Sequence, residues 1–361
     1  MQSVGAPSRM SRQIAMLLIA SLLVAIGLCE ALTRWFSLAP TVYRVGLRAE
    51  QTAYRLSDNP ILGFELKPNY RNYNPTLNRS FSYVNADGQR DIEREVAKPA
   101  GETRIIVLGD SVVVGLNIAA IDDLVSSRLE AAFGRPDIEV LNFGVMGYNT
   151  RGEVELLRTK GLKYAPDVVI VVFVDNDLNR VNGNFEKLSA DRPRIAETLF
   201  LRSSLFRLVC LRFDLFNFRL EAEPNYLRER QIEAVGAGDQ IDEAVGELSR
   251  LARQHRFEPL IGIWPIFTSD GIVDERPLYP GARRRIADAA AKYGVPTLSF
   301  REVFEKDLLG RPRGSDPKKT YTFDEMHPNP VGIAVMAEGL RDRLVASGAI
   351  PPGSPKARPT R

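Results

Sequence analysis

Two histidines, His255 and His327, and two cysteines, Cys29 and Cys210, are all that the 361 residues contain of either type. Any histidine chemistry therefore rests on one of two positions, and both a disulfide framework and a cysteine-built zinc site are excluded. His255 lies in Arg253-Gln254-His255-Arg256 at the end of an expected helix and reads as a solvated cation there. His327 is different. It closes Asp324-Glu325-Met326-His327 and is followed by the stiff Pro328-Asn329-Pro330. On one turn, Asp324 can accept a hydrogen bond from His327 Nδ1, leaving Nε2 to face a nucleophile. A nucleophile is available far upstream, where the apolar run 104–109 ends in Gly109-Asp110-Ser111. A serine just past the carboxyl end of a strand sits where open α/β sheets bind ligands. Asp110 reads as a residue that stabilises the turn.

Acyl transfer also needs hydrogen-bond donors aimed at the developing oxyanion. Two further loops could supply them. In Asn142-Phe143-Gly144-Val145-Met146-Gly147-Tyr148-Asn149-Thr150, the glycines permit tight turns that present a backbone N–H. In Val174-Asp175-Asn176-Asp177, Asn176 offers a side-chain amide, and the two aspartates read as loop acids rather than metal ligands.

These loops need elements to hold them. Short apolar runs at 104–109, 138–143, 167–174, 259–264 and 296–300 alternate with helical patterns at 119–133, 150–164, 239–254, 281–293 and 330–346. That alternation predicts a three-layer α/β domain over 101–348, built on five parallel strands covered on both faces. The last helix starts with Asn329 as cap and Pro330 as first residue, and Gly294 stops the helix before it. Residues 37–100 read as an extended lead-in packing on the domain. An insertion at 180–236 is dense in Leu and Phe between 195 and 220. Its Arg202, Arg207 and Arg212 recur every five residues, which turns them through about 140° per step on a helix and denies them a common polar face. Helices packing on the core or capping the site are therefore expected there, rather than a helix skimming a membrane. Residues 349–361 read as a disordered tail.

At the other end, Ile14–Cys29 is an uncharged apolar run between Arg9 and Arg12 on one side and Glu30, Arg34, Trp35 and Phe36 on the other. Sixteen residues cover about 24 Å as a helix, and the flanking aromatics extend it into the interface. With 1–12 as a short tail, 13–36 is expected to be a membrane anchor with the body exported. A cleaved signal peptide fits the same run, but Pro40 after Ser37-Leu38-Ala39 disfavours cleavage there, and Leu28 before Cys29 argues against a lipoprotein box. The formal charge of +3 is accounted for by Lys356, Arg358 and Arg361, so no basic footprint for nucleic acid exists.

The four loops, in this order and each at a strand end or before the last helix, resemble the blocks of the SGNH (GDSL-type) serine hydrolases. Gly109-Asp110-Ser111, Gly147, Asn176 and Asp324-x-x-His327 match them over roughly 104–346. The resemblance implies a flavodoxin-like sandwich. It also implies Ser111 as nucleophile, His327 and Asp324 as its partners, and an oxyanion hole from Ser111 N–H, Gly147 N–H and the Asn176 amide. The third block departs from the common Gly-x-Asn-Asp by having Val174, which bears on how Asn176 is aimed. Pro60-Ile61-Leu62-Gly63-Phe64 and Asn85–Asp91 are also similar to membrane-anchored bacterial members associated with cell-surface polysaccharide. The expected function is an esterase acting through an acyl-serine on an O-acetylated carbohydrate or other envelope ester, with no metal or organic cofactor. An O-acyltransferase working with envelope polysaccharide machinery uses the same residues, and a catalytically silent binding module is the third class.

Overall fold

The computed structural model describes residues 9–39, 53–71, 83–178, 193–213, 215–218 and 238–350. They fall into two compact units, one drawn from Met1–Thr52 and Glu186–Ala222, the other from Ala53–Phe185 and Glu223–Arg361.

In the larger unit, a hairpin of β1 (Tyr54–Leu56) and β2 (Phe64–Leu66) precedes the strands of the main sheet. These are β3 (Thr103–Gly109), β4 (Ile138–Gly144), β5 (Val168–Phe173), β6 (Glu258–Ile263) and β9 (Thr297–Ser299), with the small β7 (Ile266–Phe267) and β8 (Ile272–Val273) pairing apart from them. The main sheet is parallel throughout, in the order β4-β3-β5-β6-β9. Its strands read as unbroken apolar runs because both faces are covered. Ile106, Leu108, Val169 and Val171 turn toward α4 (Thr150–Leu156), α7 (Gly238–His255), α8 (Ala282–Tyr293) and the β1–β2 hairpin. Ile105, Val107, Ile170 and Val172 turn toward α3 (Val125–Phe133), α9 (Phe300–Leu309) and α11 (Pro330–Ala346). A short α10 (Pro317–Tyr321) leads into the loop that carries His327. The three-layer α/β architecture expected from the alternating pattern is the one observed.

The strand order places the switch of winding direction at β3, which pairs with β4 on one side and β5 on the other. That is where such sheets open a crevice at their carboxyl ends. The last strand is shorter than expected, with Phe300 already opening α9, and α9, α10 and the two small hairpins were not anticipated; the other differences lie in helix lengths. The stretch 150–164 is α-helical only as far as Leu156, then widens into a π turn over Leu157–Gly161 and tightens at Leu162–Tyr164 before left-handed Ala165. Likewise 119–133 divides into a turn at Ile121–Asp123 and α3.

The described lead-in residues contribute directly to this core. Tyr54, Leu62, Phe64 and Leu66 are buried, and the Phe64 ring meets Tyr148 edge-on at 5.2 Å. Asn85 builds a turn by accepting from Asp87 N (3.1 Å) and Gln89 N (2.8 Å).

In the smaller unit, α1 (Arg9–Trp35) carries, over Gln13–Trp35, the one stretch among the described residues that is long and apolar enough to cross a membrane. The insertion's described part forms α5 (Arg194–Arg202) and α6 (Ser204–Arg212), which pack on the last turns of α1, a partner the sequence did not name. Arg219, the fourth arginine interspersed in the Leu- and Phe-dense stretch, lies outside the described residues.

Candidate active site

Gly109 and Gly144 end β3 and β4 side by side in register. Both positions are closed to a side chain. A Cβ on Gly109 would lie 2.3 Å from Val113 Cγ2, and one on Gly144 would lie 2.2 Å from the backbone nitrogen of Val114. The two glycines thus let the one-turn helix α2 (Ser111–Val114) sit directly on the sheet end. Asp110 caps it, accepting from Val112 N at 2.9 Å through Oδ1. Gly115 ends it in the left-handed region at φ 77°. Asn142 ties the same turn to β4 by donating to Val113 O (2.9 Å) while accepting from Gly144 N (2.9 Å). Ser111 is held here with 5% of its surface exposed.

Across the crevice, the loop 322–329 is pinned at several points. Phe323 N donates to His327 O (2.9 Å), Asn329 N to Tyr321 O (2.9 Å) and Phe267 N to Glu325 O (2.8 Å), while the Trp264 indole donates to Met326 O (2.9 Å). Within it, Asp324 does two jobs. Oδ1 accepts from Met326 N (2.7 Å) and His327 N (2.8 Å), and Oδ2 meets His327 Nδ1 at 2.7 Å. Burial works to raise the Asp324 pKa, but the bonds from the His327 ring and the two N–H groups outweigh it and hold the carboxyl well below the usual carboxylate range. With Nδ1 carrying the proton toward Asp324, Nε2 is an acceptor, and it lies 3.0 Å from Ser111 Oγ. A serine, an imidazole and a carboxylate separated by 216 and 3 residues in sequence therefore form one continuous hydrogen-bonded relay, the arrangement that can take a proton from an attacking hydroxyl.

Asn176 stands in the turn after β5 and donates to Asp110 Oδ2 at 3.1 Å, the oxygen that Ser111 Oγ also approaches at 3.3 Å. The amide and the hydroxyl are thus neighbours across one carboxylate. The flanking acids fix this turn despite Val174 in place of the usual glycine. Asp175 accepts from Arg276 N (2.8 Å) and from its guanidinium, and Asp177 accepts from Thr150 Oγ1 (2.8 Å). Gly147 takes φ +83°, which a side chain would resist. Among the described residues, neither the Ser111 nor the Gly147 N–H has an acceptor. Both remain available to a ligand.

The structure brings Ser111, His327 and Asp324 into direct contact, joins Asn176 to them through Asp110, and sets Gly147 in the loop after the neighbouring strand. His255 ends α7, exposed, as expected. Three supporting residues escaped the sequence reading. Arg90, from the lead-in, is fully buried and donates to Val114 O (2.7 Å), Gly115 O (2.6 Å) and Ile118 O, bracing the far end of α2. Burial lowers its pKa to about 10. Arg276 holds the Asn176 turn. Glu153, in α4, is fully buried, and neither carboxyl oxygen has a hydrogen-bond partner. Burial first, then the charges of Asp177 and Asp110, push its pKa well above the ordinary value. Nothing in the sequence set Glu153 apart from Glu155 two residues on, and nothing pointed Arg90 at α2.

The GDSL-like Lipase/Acylhydrolase family model matches residues 107–335, well over half of the chain. Among solved structures, the fold is similar to a lipase/acylhydrolase from Enterococcus faecalis, at 15% identity over 68% of this chain and 96% of that one, with a TM-score of 0.40. It is also similar to a member of the lipolytic protein G-D-S-L family from Veillonella parvula (15%, 66% and 97%, 0.39). A third is an acetylxylan esterase from Geobacillus stearothermophilus (13%, 69% and 96%, 0.40). No curated protein matches the sequence. The chain belongs to the GDSL-like lipase/acylhydrolase family of ester-hydrolysing enzymes.

Proposed function

We propose that the chain is a serine esterase with Ser111 as nucleophile, His327 as general base and Asp324 as the group that fixes the imidazole's tautomer. The observation that carries this reading is the 3.0 Å approach of Ser111 Oγ to His327 Nε2, with Asp324 at 2.7 Å on the other ring nitrogen. His327 Nε2 takes the Ser111 proton as Oγ attacks the ester carbonyl. The oxyanion is received by Ser111 N–H, Gly147 N–H and the Asn176 amide, each such donor being worth roughly 10²–10³ in rate. The imidazolium then protonates the leaving alcohol, the acyl group remains on Ser111, and a water deprotonated by His327 releases it as the acid. No metal or organic cofactor takes part.

The substrate we propose is a small O-acyl ester, an O-acetyl group on an envelope carbohydrate, met by a domain that α1 tethers outside the cytoplasm. The anchor would set the enzyme among envelope polymers, and partners that make or export them belong to the same reading. The test is the purified full chain in detergent against p-nitrophenyl acetate and an acetylated polysaccharide, with Ser111→Ala alongside. Serine-dependent release of acetate from the polymer is the expected result. Acetate appearing on an added sugar instead would establish acyl transfer, and equal inertness of parent and Ser111→Ala would remove support for the assigned residues.

A further inference from the structure

The insertion does not end its own helices unaided. Glu30, near the end of α1, accepts from Ser203 Oγ (2.7 Å), Ser204 N (2.9 Å) and Leu205 N (2.8 Å), so its carboxylate completes the N-terminus of α6. Arg34 binds Glu30 (2.6 Å) and donates to Arg202 O (2.6 Å) at the end of α5. Arg207, buried, closes α5 by donating to Phe200 O and Leu201 O, both at 2.8 Å. The helical hairpin is thus built around the last two turns of α1, and a chain cleaved after the apolar run would lose the carboxylate that caps α6.

The hairpin has one satisfied apolar side. Ala196, Phe200, Cys210 and Phe218 form its small core, with Phe200 and Phe218 stacked at 3.9 Å. Its outward side is also apolar. Ile195 and Leu199, four residues apart on one stripe of α5, are exposed, as are Phe213 and Phe216 beyond α6. Trp35 and Phe36, at the end of the apolar helix, are exposed with them. Both α1 and the hairpin thus expose apolar side chains, and the hydrogen bonds that join them lie within about 8 Å along the helix of Trp35, the position at which aromatic residues mark a bilayer's edge. Exposed Arg202 and Arg212, at the ends of α5 and α6, are suited to lipid phosphates.

Given α1 as a membrane-crossing anchor, we infer that the hairpin 193–218 is a membrane-interface element built on the uncleaved anchor, with Ile195, Leu199, Phe213 and Phe216 seated at the headgroup and upper acyl level. A carboxylate at that depth is tolerated because Glu30 meets four donors.

The experiment uses the full chain in vesicles of phosphatidylcholine and phosphatidylglycerol. Phe213→Trp is placed in a Trp35→Phe background, with buried Trp264 as the constant baseline. Lipids brominated high on the acyl chain are expected to quench the added emission roughly twofold, as for a ring about 5–10 Å below the surface. Glu30→Ala is expected to abolish that quenching and to open Arg202 and Arg212 to trypsin, with hydrolysis of p-nitrophenyl acetate unchanged. Intact mass and alkaline extraction report the anchor separately. A mature chain that begins after residue 30, or one washed off the membrane, would refute the anchor and the hairpin's placement together. An intact, membrane-embedded chain whose added tryptophan is quenched no more than in lipid lacking bromine would refute the placement alone.

Discussion

Asp324→Asn separates what Asp324 does for the loop from what it does for the chemistry. Oδ1 accepts both backbone N–H groups, while Oδ2 serves only the imidazole. An asparagine can keep its oxygen on Met326 N and His327 N and thereby present its NH₂ to His327 Nδ1. The imidazole must then place its own proton on Nε2, pointing a donor at Ser111 Oγ where an acceptor is needed. The variant should fold, with a Tm within a few degrees of the parent, and lose about 10⁴ in kcat, or about 5.4 kcal/mol of transition-state stabilisation. Asp324→Ala should lose comparable activity and also stability, about 1–2 kcal/mol for two orphaned N–H groups. Steady-state hydrolysis of p-nitrophenyl acetate and thermal melts on the same samples measure both. Retention of more than a tenth of parental kcat by Asp324→Asn, while Ser111→Ala is inert, would refute the tautomer argument.

Glu153→Gln should stabilise the protein at pH 8 and lose that advantage near pH 4. The unfolded glutamate ionises near about 4.3 while burial raises the folded one's pKa above that, so parental stability falls as pH rises above the unfolded value. Melts across pH 4–8 decide it, and a constant difference between the two proteins would count against a raised pKa at Glu153. Gly144→Ala drives a methyl against Val114 N and should displace Ser111, costing about 1–3 kcal/mol or more and most of kcat. A parental Tm with full activity would show that α2 has room to move. Arg90→Met strands the carbonyls of Val114 and Gly115 and should lower stability by about 2–4 kcal/mol in urea titrations while reducing kcat; an unchanged unfolding midpoint would refute the brace.

How much of this was readable beforehand varied with how local the cause is. The parallel sheet was legible because strands buried on both faces leave unbroken apolar text, and α11 because Asn329 and Pro330 announce its start at the residue where it begins. That Ser111, Asp324 and His327 come together was legible because the sequence holds so few histidines and the loops stand at strand ends. Residues acting across the fold were not legible. Arg90 makes sense only once the end of α2 and the turn after it are known to expose three carbonyls, and Glu30 flanks a run whose composition speaks only of membranes. The end of α4 at Leu156 was missed because Leu157, Arg158 and Lys160 are ordinary helix formers while the backbone widens to a π turn.

The guanidinium of Arg90 lies upstream of residue 107, where the family match begins, yet it finishes the turn that holds Ser111. The segment that carries the shared signature is therefore shorter than the segment that must be inherited for the signature to work. A chimera exchanged at the signature's borders would transmit Ser111 and lose its support. Boundaries for domain grafting, or for comparing relatives, belong before residue 53, where the hairpin that packs into the same core begins.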